Sequence, residues 1–414
     1  ICTIKLLDEV NCVCQDLDLG LRQRLSKKFK KEIPNVRYTP AVRMGRWDGK
    51  KEFFKLNGAT YINLLPEILP IITDDYYEIE LDDTRPPTQD FIFDAFNENS
   101  LSQILWPSEH EQANQPIQLK PHQIEIINSL LGNLQCMWES ATGSGKTLIT
   151  ASLSKACEPY GRTMVVVPSK SLVVQTERDF KLLNLDVGVW FGDRKEHDHK
   201  HVICTWQSLM SLQRIKQKSL DENEPNDFDR LVDGLVSVLI DEAHTLKADE
   251  ILKLFTGPLA KIPIRWGLTG TIPKEDYART CLLSAIGPVI GKTPAAYLQE
   301  QGLLSYCHIH VKQFVDPGQY TNWPSEEKYL STDSDRLDAI AAEVKKISSA
   351  GSTLMLINKI NTGNELQSRL DCVFLSGKDS VKQRQIEFRE LENSENQLVL
   401  ATYGIAAVGI NLVN

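Results

Sequence analysis

A glycine-rich run constrains the fold of this chain more than any other feature. Residues Ala141–Thr147 read A-T-G-S-G-K-T, with apolar Leu134–Trp138 before them and Leu148–Leu153 after them. The first flank is typical of a strand and the second of the start of a helix. Glycines let backbone N–H groups turn inward around phosphate oxygens, and the helix N-terminus adds the positive end of its dipole. The run therefore predicts a strand, a phosphate-binding loop and a helix.

An acidic motif follows further along the chain. Asp241-Glu242-Ala243-His244 comes directly after the apolar run Leu235–Ile240, which is typical of a buried parallel strand. Open α/β sheets bind their ligands at the carboxyl ends of such strands. The two motifs in this order predict a nucleoside triphosphatase site. The alternative is a glycine turn and an unrelated acidic loop.

Each polar residue of the two motifs suits one part of that chemistry. Lys146 supplies a point charge for the β- and γ-phosphates, while Thr147 and Asp241 are suited to hold Mg²⁺. Glu242 can polarise the attacking water. His244 can connect Glu242 to another loop, although a packing or helix-capping histidine is the alternative. We expect the nucleotide to be held by Thr142, Gly143, Ser144, Gly145, Lys146 and Thr147.

Composition bounds the remaining possibilities. A chain of 414 residues with 42% hydrophobic and 24% charged residues predicts a globular protein of two or three domains. No apolar stretch approaches the ~20 residues of a membrane helix, so we expect no membrane partner. The nine cysteines are scattered without zinc-ligand spacing, which favours reduced thiols in a cytoplasm. The chain opens at Ile1 without a signal peptide, which leaves an earlier start open.

Charge is distributed unevenly. The formal net charge is −9, yet Gly20–Lys55 contains twelve Lys or Arg against three acidic residues and carries +9, which leaves −18 for the rest. A local basic patch attracts phosphates whatever the global sign. The alternative is an ordinary solvated helix face within Arg22–Lys31.

Apolar periodicity divides the chain into three parts. Residues 1–85 predict a small, basic α+β module, hereafter the amino-terminal module, with a helix over residues 17–33. Residues 86–285, which begin with a linker, are predicted to form a first α/β lobe, and residues 286–414 a second. Strands are expected at Gln135–Trp138, Thr163–Val167, Val202–Cys204, Val236–Ile240, Arg265–Leu268, Ser352–Ile357, Asp371–Leu375 and Leu398–Ala401, with helices near Ser334–Ile347 and Ser380–Leu391.

Read in order, the short motifs on these strand ends resemble those of the superfamily 2 helicases of the DExH type. The resemblance covers roughly Gln118–Asn414 and implies two tandem RecA-like parallel-sheet lobes with ATP and Mg²⁺ as cofactors, bound at the cleft between the lobes. It implies that Gln123 reads the adenine and that Thr269 and Thr271 couple nucleotide state to strand contacts. It implies contacts with a nucleic-acid strand by Pro168, Ser169, Thr205 or Gln207, Asn358 and Thr402.

The run Arg37–Lys50 of the amino-terminal module reads R-Y-T-P-A-V-R-M-G-R-W-D-G-K and resembles a segment of phage branch-migration helicases. The resemblance implies the cytoplasm of a bacterial host if a phage encodes the protein. Trp47 beside Arg43, Arg46 and Lys50 can stack on a base and neutralise phosphates. The alternative is that Trp47 fills the small core of the module. We expect removal of the module to leave hydrolysis stimulated by single-stranded DNA largely intact.

The sequence thus predicts an ATP-dependent helicase or translocase, expected to be monomeric, that remodels forks and four-way junctions and contacts single-stranded DNA. An RNA helicase, a duplex-DNA translocase subunit of a restriction or remodelling assembly, and a non-catalytic binding module remain alternatives. Two departures from the family pattern stand out. The sixth family motif, with its arginines, is absent before Asn414, so we expect an incomplete second lobe and poor hydrolysis by a chain that stops there. Asn411 stands where many relatives have Asp.

Overall fold

The computed structural model of the chain describes residues 1–86, 89–108, 112–218, 226–245, 247–315, 318, 320–377, 386–387, 390 and 397–406, and only the backbone of residues 217, 218, 405 and 406. The chain divides into two compact units, Ile1–Tyr306 and Cys307–Asn414. The amino-terminal module and the first α/β lobe lie together in the first unit.

The amino-terminal module is built on a small mixed sheet. Its described strands run in the order β5-β2-β1-β6, with β1 parallel to β6 and antiparallel to β2, and β3 and β4 form a separate antiparallel ribbon. The elements are β1 (Cys2–Leu6), β2 (Asn11–Cys14), α1 (Leu19–Lys28), β3 (Lys30–Glu32), α2 (Pro40–Arg43), β4 (Lys50–Glu52), β5 (Ala59–Tyr61), α3 (Leu65–Asp74) and β6 (Ile79–Asp83).

The helix expected over residues 17–33 is shorter than predicted. Its apolar stripe of Leu17, Leu21, Leu25 and Phe29 is buried as expected. The helix nevertheless begins after the Asp18 cap and ends at Lys28, because residues 30–32 pair with β4 instead of continuing the helical turn. Local periodicity could not reveal this competing long-range pairing.

The module shares its core with the first lobe. Leu252, Tyr277 and Cys281 of the lobe are buried in one cluster with Phe53 and the stripe of α1. Lys31 also pairs with Asp276 at 2.7 Å. The packing argues against the expected separability of the module, because its removal would expose these apolar side chains of the lobe to water.

The first lobe contains a large sheet that is parallel except at one edge. Within the described part of the chain its eight strands run in the order β10-β9-β11-β8-β12-β13-β7-β14, with only β10 antiparallel. The elements are α4 (Pro121–Leu131), β7 (Gln135–Ser140), α5 (Lys146–Cys157), β8 (Arg162–Val167), α6 (Lys170–Leu182), β9 (Val187–Phe191), β10 (Arg194–Lys195), β11 (His201–Thr205), α7 (Trp206–Lys218), α8 (Asp227–Val232), β12 (Leu235–Asp241), α9 (Ala248–Phe255), β13 (Ile264–Thr269), α10 (Asp276–Ala285), β14 (Val289–Thr293) and α11 (Ala295–Glu300).

Both edges of this sheet extend beyond the strands foreseen from sequence. At one edge, β9 and β10 add to β11. At the other, β14 pairs in parallel with β7. The first sheet therefore takes up residues past 286, where the second lobe was expected to begin.

The second unit carries a smaller parallel sheet. Its described strands run in the order β15-β17-β16. The elements are α12 (Trp323–Thr332), α13 (Ser334–Ser348), β15 (Thr353–Ile357), α14 (Ile360–Leu370), β16 (Val373–Leu375), β17 (Leu398–Thr402) and α15 (Tyr403–Ala406). Most of the helix expected at Ser380–Leu391, and Asn411, lie outside the described residues.

The predicted fold class is confirmed: parallel-sheet α/β lobes follow a small α+β module. The central strands of the first lobe bury mostly apolar residues, as expected for strands covered by helices on both faces. Among the residues that the structure describes, none of the helices combines the length and the apolar character that a membrane crossing requires.

Candidate active site

Three neighbouring strands bring the predicted motifs together. In the sheet, β13 lies between β12 and β7, with Asp241 paired to Leu268 and Thr269 paired to Glu139. The three strands are parallel, so their carboxyl ends meet at one edge. The phosphate loop, the Asp241–His244 motif and the Thr269–Thr271 loop therefore converge there, as open α/β sheets arrange their ligand sites.

The phosphate loop needs glycine at two positions. Gly143 and Gly145 have φ of +85° and +83°, in the left-handed region that side chains disfavour. A Cβ on Gly145 would also lie 2.3 Å from Gln123 Nε2. The helix α5 begins at Lys146, immediately after this turn. The geometry is that of a helix N-terminus whose free N–H groups can receive phosphate.

Two side chains of α4 brace the loop from below. Gln123 accepts a hydrogen bond from Lys120 N at 3.0 Å and donates to the Ser144 carbonyl oxygen at 3.2 Å. His122 Nε2 contacts the same carbonyl at 2.9 Å, and burial lowers the pKa of this histidine. The predicted adenine contact of Gln123 remains a proposal, since both ends of its amide have partners within the protein.

His122 and Ser140 also hold this loop, although the sequence motifs did not single them out. Ser140, the last residue of β7, donates from its hydroxyl to Ser144 Oγ at 2.7 Å. Both Ser140 and Ser144 are buried. His122 could have been suspected because it adjoins Gln123 in the first turn of a helix, but nothing in the sequence indicates that Ser140 turns towards the loop.

Lys146 and Glu242 face each other across the site. Their side chains form an ion pair with 2.7 Å between Nζ and Oε1, and both are largely buried. Lys146 Nζ also lies 3.5 Å from the Ser140 carbonyl oxygen. Lys146, which was expected to hold phosphate, and Glu242, which was expected to orient water, are therefore bound to each other.

The backbone of Glu242 is held in an unusual conformation. Its φ of +51° lies in the left-handed region, which is uncommon for a residue with a long side chain. Its N–H donates to Asp241 Oδ1 at 2.9 Å, while its carbonyl accepts from Thr245 N and Thr245 Oγ1. Such strained residues persist where surrounding bonds fix them, commonly at functional sites.

Asp241 and Thr147 are the residues predicted to hold a metal ion. Burial raises the pKa of Asp241 to about 6, an effect that Lys146 opposes and Glu242 reinforces. Thr147 follows Lys146 in the first turn of α5 and is partly exposed. A desolvated carboxylate and a hydroxyl are oxygen donors of the kind that Mg²⁺ prefers, and a nearby cation would favour the ionised form of Asp241.

His244 connects the acidic motif to the Thr269–Thr271 loop. Its Nδ1 lies 2.6 Å from Thr269 Oγ1 and 3.4 Å from Glu242 Oε2. Thr269 Oγ1 donates its single hydrogen to the Thr271 carbonyl oxygen at 2.9 Å, so it accepts from His244 Nδ1–H. Burial lowers the pKa of His244, which favours this neutral tautomer. Gly270 N also points at Glu242 Oε2, at 3.4 Å.

The donor set fits a magnesium nucleotide. Two left-handed glycines open a turn that a Cβ would block, a lysine stands at the helix N-terminus, and a desolvated carboxylate, Asp241, ends β12. The loop supplies backbone N–H groups for phosphate, and the carboxylates supply oxygen ligands and a partner for water.

The residues of the first lobe that were predicted to contact a nucleic-acid strand lie at the ends of β8 and β11, the two strands beyond β12 in the sheet. Ser169 caps α6 by accepting from Leu172 N at 3.3 Å. Thr205 is 3% exposed, and its hydroxyl lies 2.9 Å from Ser208 Oγ. Gln207 is exposed and donates from Nε2 to the Pro168 carbonyl oxygen at 3.3 Å. Of the two alternatives, Gln207 is therefore the better placed to reach a phosphate.

In the second unit, Asn358 and Thr402 lie at adjacent strand ends. Asn358 follows β15 and is exposed, and Thr402, the last residue of β17, pairs with Ile357. Both residues lie at the carboxyl edge of the second sheet, the edge at which such sheets bind ligands.

The turn that carries Trp47 projects into solvent. Arg43, Arg46, Trp47 and Lys50 are all exposed, and Trp47 is absent from the buried core of the module. The Trp47 indole is 39% exposed and donates from Nε1 to the Lys50 carbonyl oxygen at 3.1 Å. This bond fixes the ring while leaving a face accessible. Core filling, the alternative role for Trp47, is not what the packing shows.

Comparison with known proteins gives matches over most of the chain. Residues 116–274 match the protein family described as "Type III restriction enzyme, res subunit". The ATP-dependent DNA helicase UvsW of Enterobacteria phage T4 is 22% identical over 411 aligned residues, covering 93% of this chain and 77% of that protein. The DNA 3'-5' helicase XPB of Kineococcus radiotolerans is 25% identical over 67% of this chain, which spans about half of that protein (49%).

Solved structures show the same fold. A crystal structure of T4 UvsW superposes with a TM-score of 0.54 at 18% identity, covering 100% of this chain and 82% of that one. A second crystal structure of the UvsW helicase gives the same TM-score over 70% of this chain and 99% of its own. The match extends over the amino-terminal module as well as the sheets.

Proposed function

We propose that this chain, which belongs to helicase superfamily 2 and is an ATP-hydrolysing enzyme, remodels branched DNA. The substrates proposed are replication forks and four-way junctions, and the processes are branch migration and fork regression during replication, recombination or repair. The family implies the use of ATP, and similarity to UvsW of phage T4 supports a DNA substrate. The assignment of individual residues below is part of the proposal.

In this proposal the first lobe binds the nucleotide. Backbone N–H groups of the Thr142–Gly145 turn and the Lys146 ammonium would hold the phosphates, while Thr147 and Asp241 would hold Mg²⁺. When bound, the metal ion would supply positive charge that neutralises the phosphates. Gln123 reads the adenine edge, for which its amide must exchange the bond to the Ser144 carbonyl oxygen.

Hydrolysis depends on an exchange of partners by Glu242. A phosphate on the loop competes with Glu242 for the Lys146 ammonium, which now lies 2.7 Å from the carboxylate. The released carboxylate can then orient the attacking water, while Gly270 N donates to its second oxygen. Positioning and charge stabilisation supply most of the acceleration in reactions of this type.

The loop that senses this exchange is the Thr269–Thr271 loop. His244 touches both Glu242 and Thr269, so a movement of the carboxylate changes the hydrogen bond that orders the loop. Pro168, Ser169, Gln207, Asn358 and Thr402 would grip one strand, mostly by its backbone, so little sequence preference is expected.

The exposure of the turn around Trp47 is the main observation that supports branched DNA as the substrate. It presents an aromatic ring and three cations outside the strand-end surfaces assigned to single-strand contact. A motor that pulls one strand needs no second basic surface, whereas a junction enzyme must also hold a duplex arm. A ring fixed at one edge can stack on an unpaired base at the junction.

A second candidate function is suggested by the family that matches residues 116–274, because its description names a restriction-enzyme subunit. In this second candidate the chain is a duplex-DNA translocase, which moves along DNA without separating the strands of a fork. Both candidates use the same nucleotide site, so only the processed substrate distinguishes them.

A substrate panel tests the proposal. ATP hydrolysis and product formation by the full-length protein would be measured with a fork, a four-way junction, a flap, a triple-strand substrate and an RNA hairpin. We expect forks and junctions to be processed best. Displacement of a third strand without fork processing would favour the translocase, and preference for the RNA hairpin would overturn the DNA assignment.

Trp47→Ala sharpens the panel. Loss of one base stack of about 1–3 kcal/mol should lower junction affinity at least fivefold while single-strand affinity changes less. The matched control is Trp323→Ala, which removes another exposed indole, in the second unit. Equal junction affinity of the two variants would contradict a contact by Trp47.

A further inference from the structure

Both loops that carry the hydrolytic residues run directly into helices that pack on the amino-terminal module. The Ala243–Thr245 turn leads into α9, and the Thr269–Thr271 loop leads into α10. Leu252 of α9 and Cys281 of α10 are buried in the core of the module. The module therefore contacts the helices of both strand–loop–helix segments, β12 to α9 and β13 to α10, whose loops position Glu242.

Tyr277 lies where α9, α10 and the module meet. It is 4% exposed, and its ring packs edge-on against Phe53 of the module with 6.1 Å between centroids. Its hydroxyl donates to Asp249 Oδ1 in the first turn of α9. Burial, followed by the hydrogen bond to Asp249, raises the pKa of Tyr277, so the phenol stays a neutral donor.

Two hydrogen bonds thus connect the same pair of strand–loop–helix units. The bond between His244 and Thr269 joins them at the active site, and the bond between Tyr277 and Asp249 joins them at the module. Because each loop is short, a displacement of α9 against α10 must alter the geometry of both bonds. Catalytic groups lose efficiency when they are displaced by as little as about 1 Å.

The module holds both helices from further sides. Asn11 donates to the Thr256 carbonyl oxygen at the end of α9 at 2.9 Å, and Lys31 pairs with Asp276 at the start of α10 at 2.7 Å. The ion pair is too exposed to contribute much by itself, since Asp276 is 69% exposed. The buried Tyr277 contact is therefore the stronger connection.

We propose that Tyr277 and Asp249 are positioning residues for ATP hydrolysis, and that the module, through Phe53 against Tyr277, sets the alignment of Glu242 and Thr269. Neither residue belongs to the set assigned above to the nucleotide and the metal ion. They act by fixing the relative position of α9 and α10. The further step, that DNA held by the module influences this alignment, rests on the proposed function of the Trp47 turn.

Tyr277→Phe is the direct test, because it removes one hydroxyl and leaves the ring against Phe53. We expect kcat for hydrolysis with saturating single-stranded DNA to fall about fivefold to tenfold, the scale of one lost hydrogen bond. KM for ATP and affinity for DNA should stay unchanged. Asp249→Ala should reproduce the loss, whereas Asp249→Asn keeps an acceptor oxygen and should restore most of the rate.

Tyr160→Phe is the matched control. Its hydroxyl accepts from Ile92 N at 2.9 Å and its ring packs on Phe91 and Phe93, away from both loops of the site. We expect this variant to lose thermal stability and keep kcat. If Tyr277→Phe also lost stability alone, with kcat unchanged, the positioning role would be overturned.

The two proposals fail in different measurements. Unchanged fork affinity in Trp47→Ala would remove the DNA contact of the module while leaving the Tyr277 result in place. Unchanged kcat in Tyr277→Phe would remove the positioning role while leaving the DNA contact in place. If Tyr277→Phe lost the same fraction of kcat with forks and with single-stranded DNA, the positioning role would be supported. The further step, in which fork DNA held by the module changes the alignment of Glu242 and Thr269, would be overturned.

Discussion

The polar groups at the nucleotide edge of the first sheet bond mainly to one another, whereas those of the Trp47 turn face solvent. Lys146 pairs with Glu242, and His244 bonds to Thr269. In the turn, by contrast, the side-chain nitrogens of Arg43, Arg46 and Lys50 make no hydrogen bond or ion pair with any described residue. The same residue types therefore work in two different environments.

The difference shows how each region can act. Inside the site, water is partly excluded and each charge has a fixed partner, so a nucleotide changes the site by replacing one partner with another. At the turn, charges are screened by solvent and attract phosphates without requiring a fixed geometry. We expect substitutions at the site to change rates strongly and substitutions at the turn to change affinity moderately.

The largest expected effect belongs to Glu242→Gln. The amide is nearly isosteric but accepts a proton poorly, so kcat should fall about 10²- to 10⁴-fold while ATP still binds. Lys146→Ala should instead weaken ATP binding itself, because it removes the charge that faces the phosphates. Steady-state hydrolysis and nucleotide binding would be measured on the full-length protein with saturating DNA.

Glu139→Gln is the control for that substitution. Glu139 lies near the end of β7 in the same sheet, pairs with Lys292 at 2.9 Å and is about as exposed as Glu242, 20% against 22%. The control should keep near-normal turnover, because only an ion pair is lost. Near-normal turnover by Glu242→Gln as well would show that the acidic motif does not orient the water.

A smaller effect is expected for Thr269→Val. The substitution keeps the shape of a fully buried side chain but leaves His244 Nδ1–H without its acceptor. We expect kcat to fall about fivefold, since the His244 side chain is 29% exposed and an unsatisfied donor there costs about 1 kcal/mol. Thr163→Val removes an equally buried hydroxyl, which lies 2.7 Å from Ser237 Oγ in the same sheet. Equal kcat for the two variants would mean that the contact with His244 serves stability alone.

Sequence reasoning was most reliable where function and strand ends coincide. Apolar runs placed β7, β12 and β13, and each motif followed one of them, so the convergence of Lys146, Glu242 and Thr269 could be expected from the amino-acid sequence alone. The reason is physical: parallel strands need buried apolar residues, and their carboxyl ends must share an edge.

Contacts between distant segments could not be foreseen. The pairing of β3 with β4 shortened the predicted helix, and the burial of Tyr277 against Phe53 joined a module that had been expected to be separable. Neither contact leaves a local pattern, because each depends on how two elements far apart in sequence pack. The exposure of Trp47 likewise required knowing which other residues fill the core of the module.

The smallest effects are expected from single cations of the module, and they test the exposed side of the comparison. Arg43→Ala, Arg46→Ala and Lys50→Ala should each weaken fork binding a few-fold at moderate salt, and each lost phosphate contact should lower the slope of log affinity against log salt by about 0.9.

Arg37→Ala is the matched control, because Arg37 is also exposed but already donates to Glu32 at 2.9 Å and 3.1 Å. The control removes the same formal charge and therefore the same long-range attraction, so any extra loss in the other three variants reports direct contact. Fluorescence anisotropy with labelled forks and with single strands, at several salt concentrations, measures both quantities. If Arg37→Ala weakened fork binding and shifted the salt slope as much as Arg43→Ala, the turn would attract DNA only through its net charge.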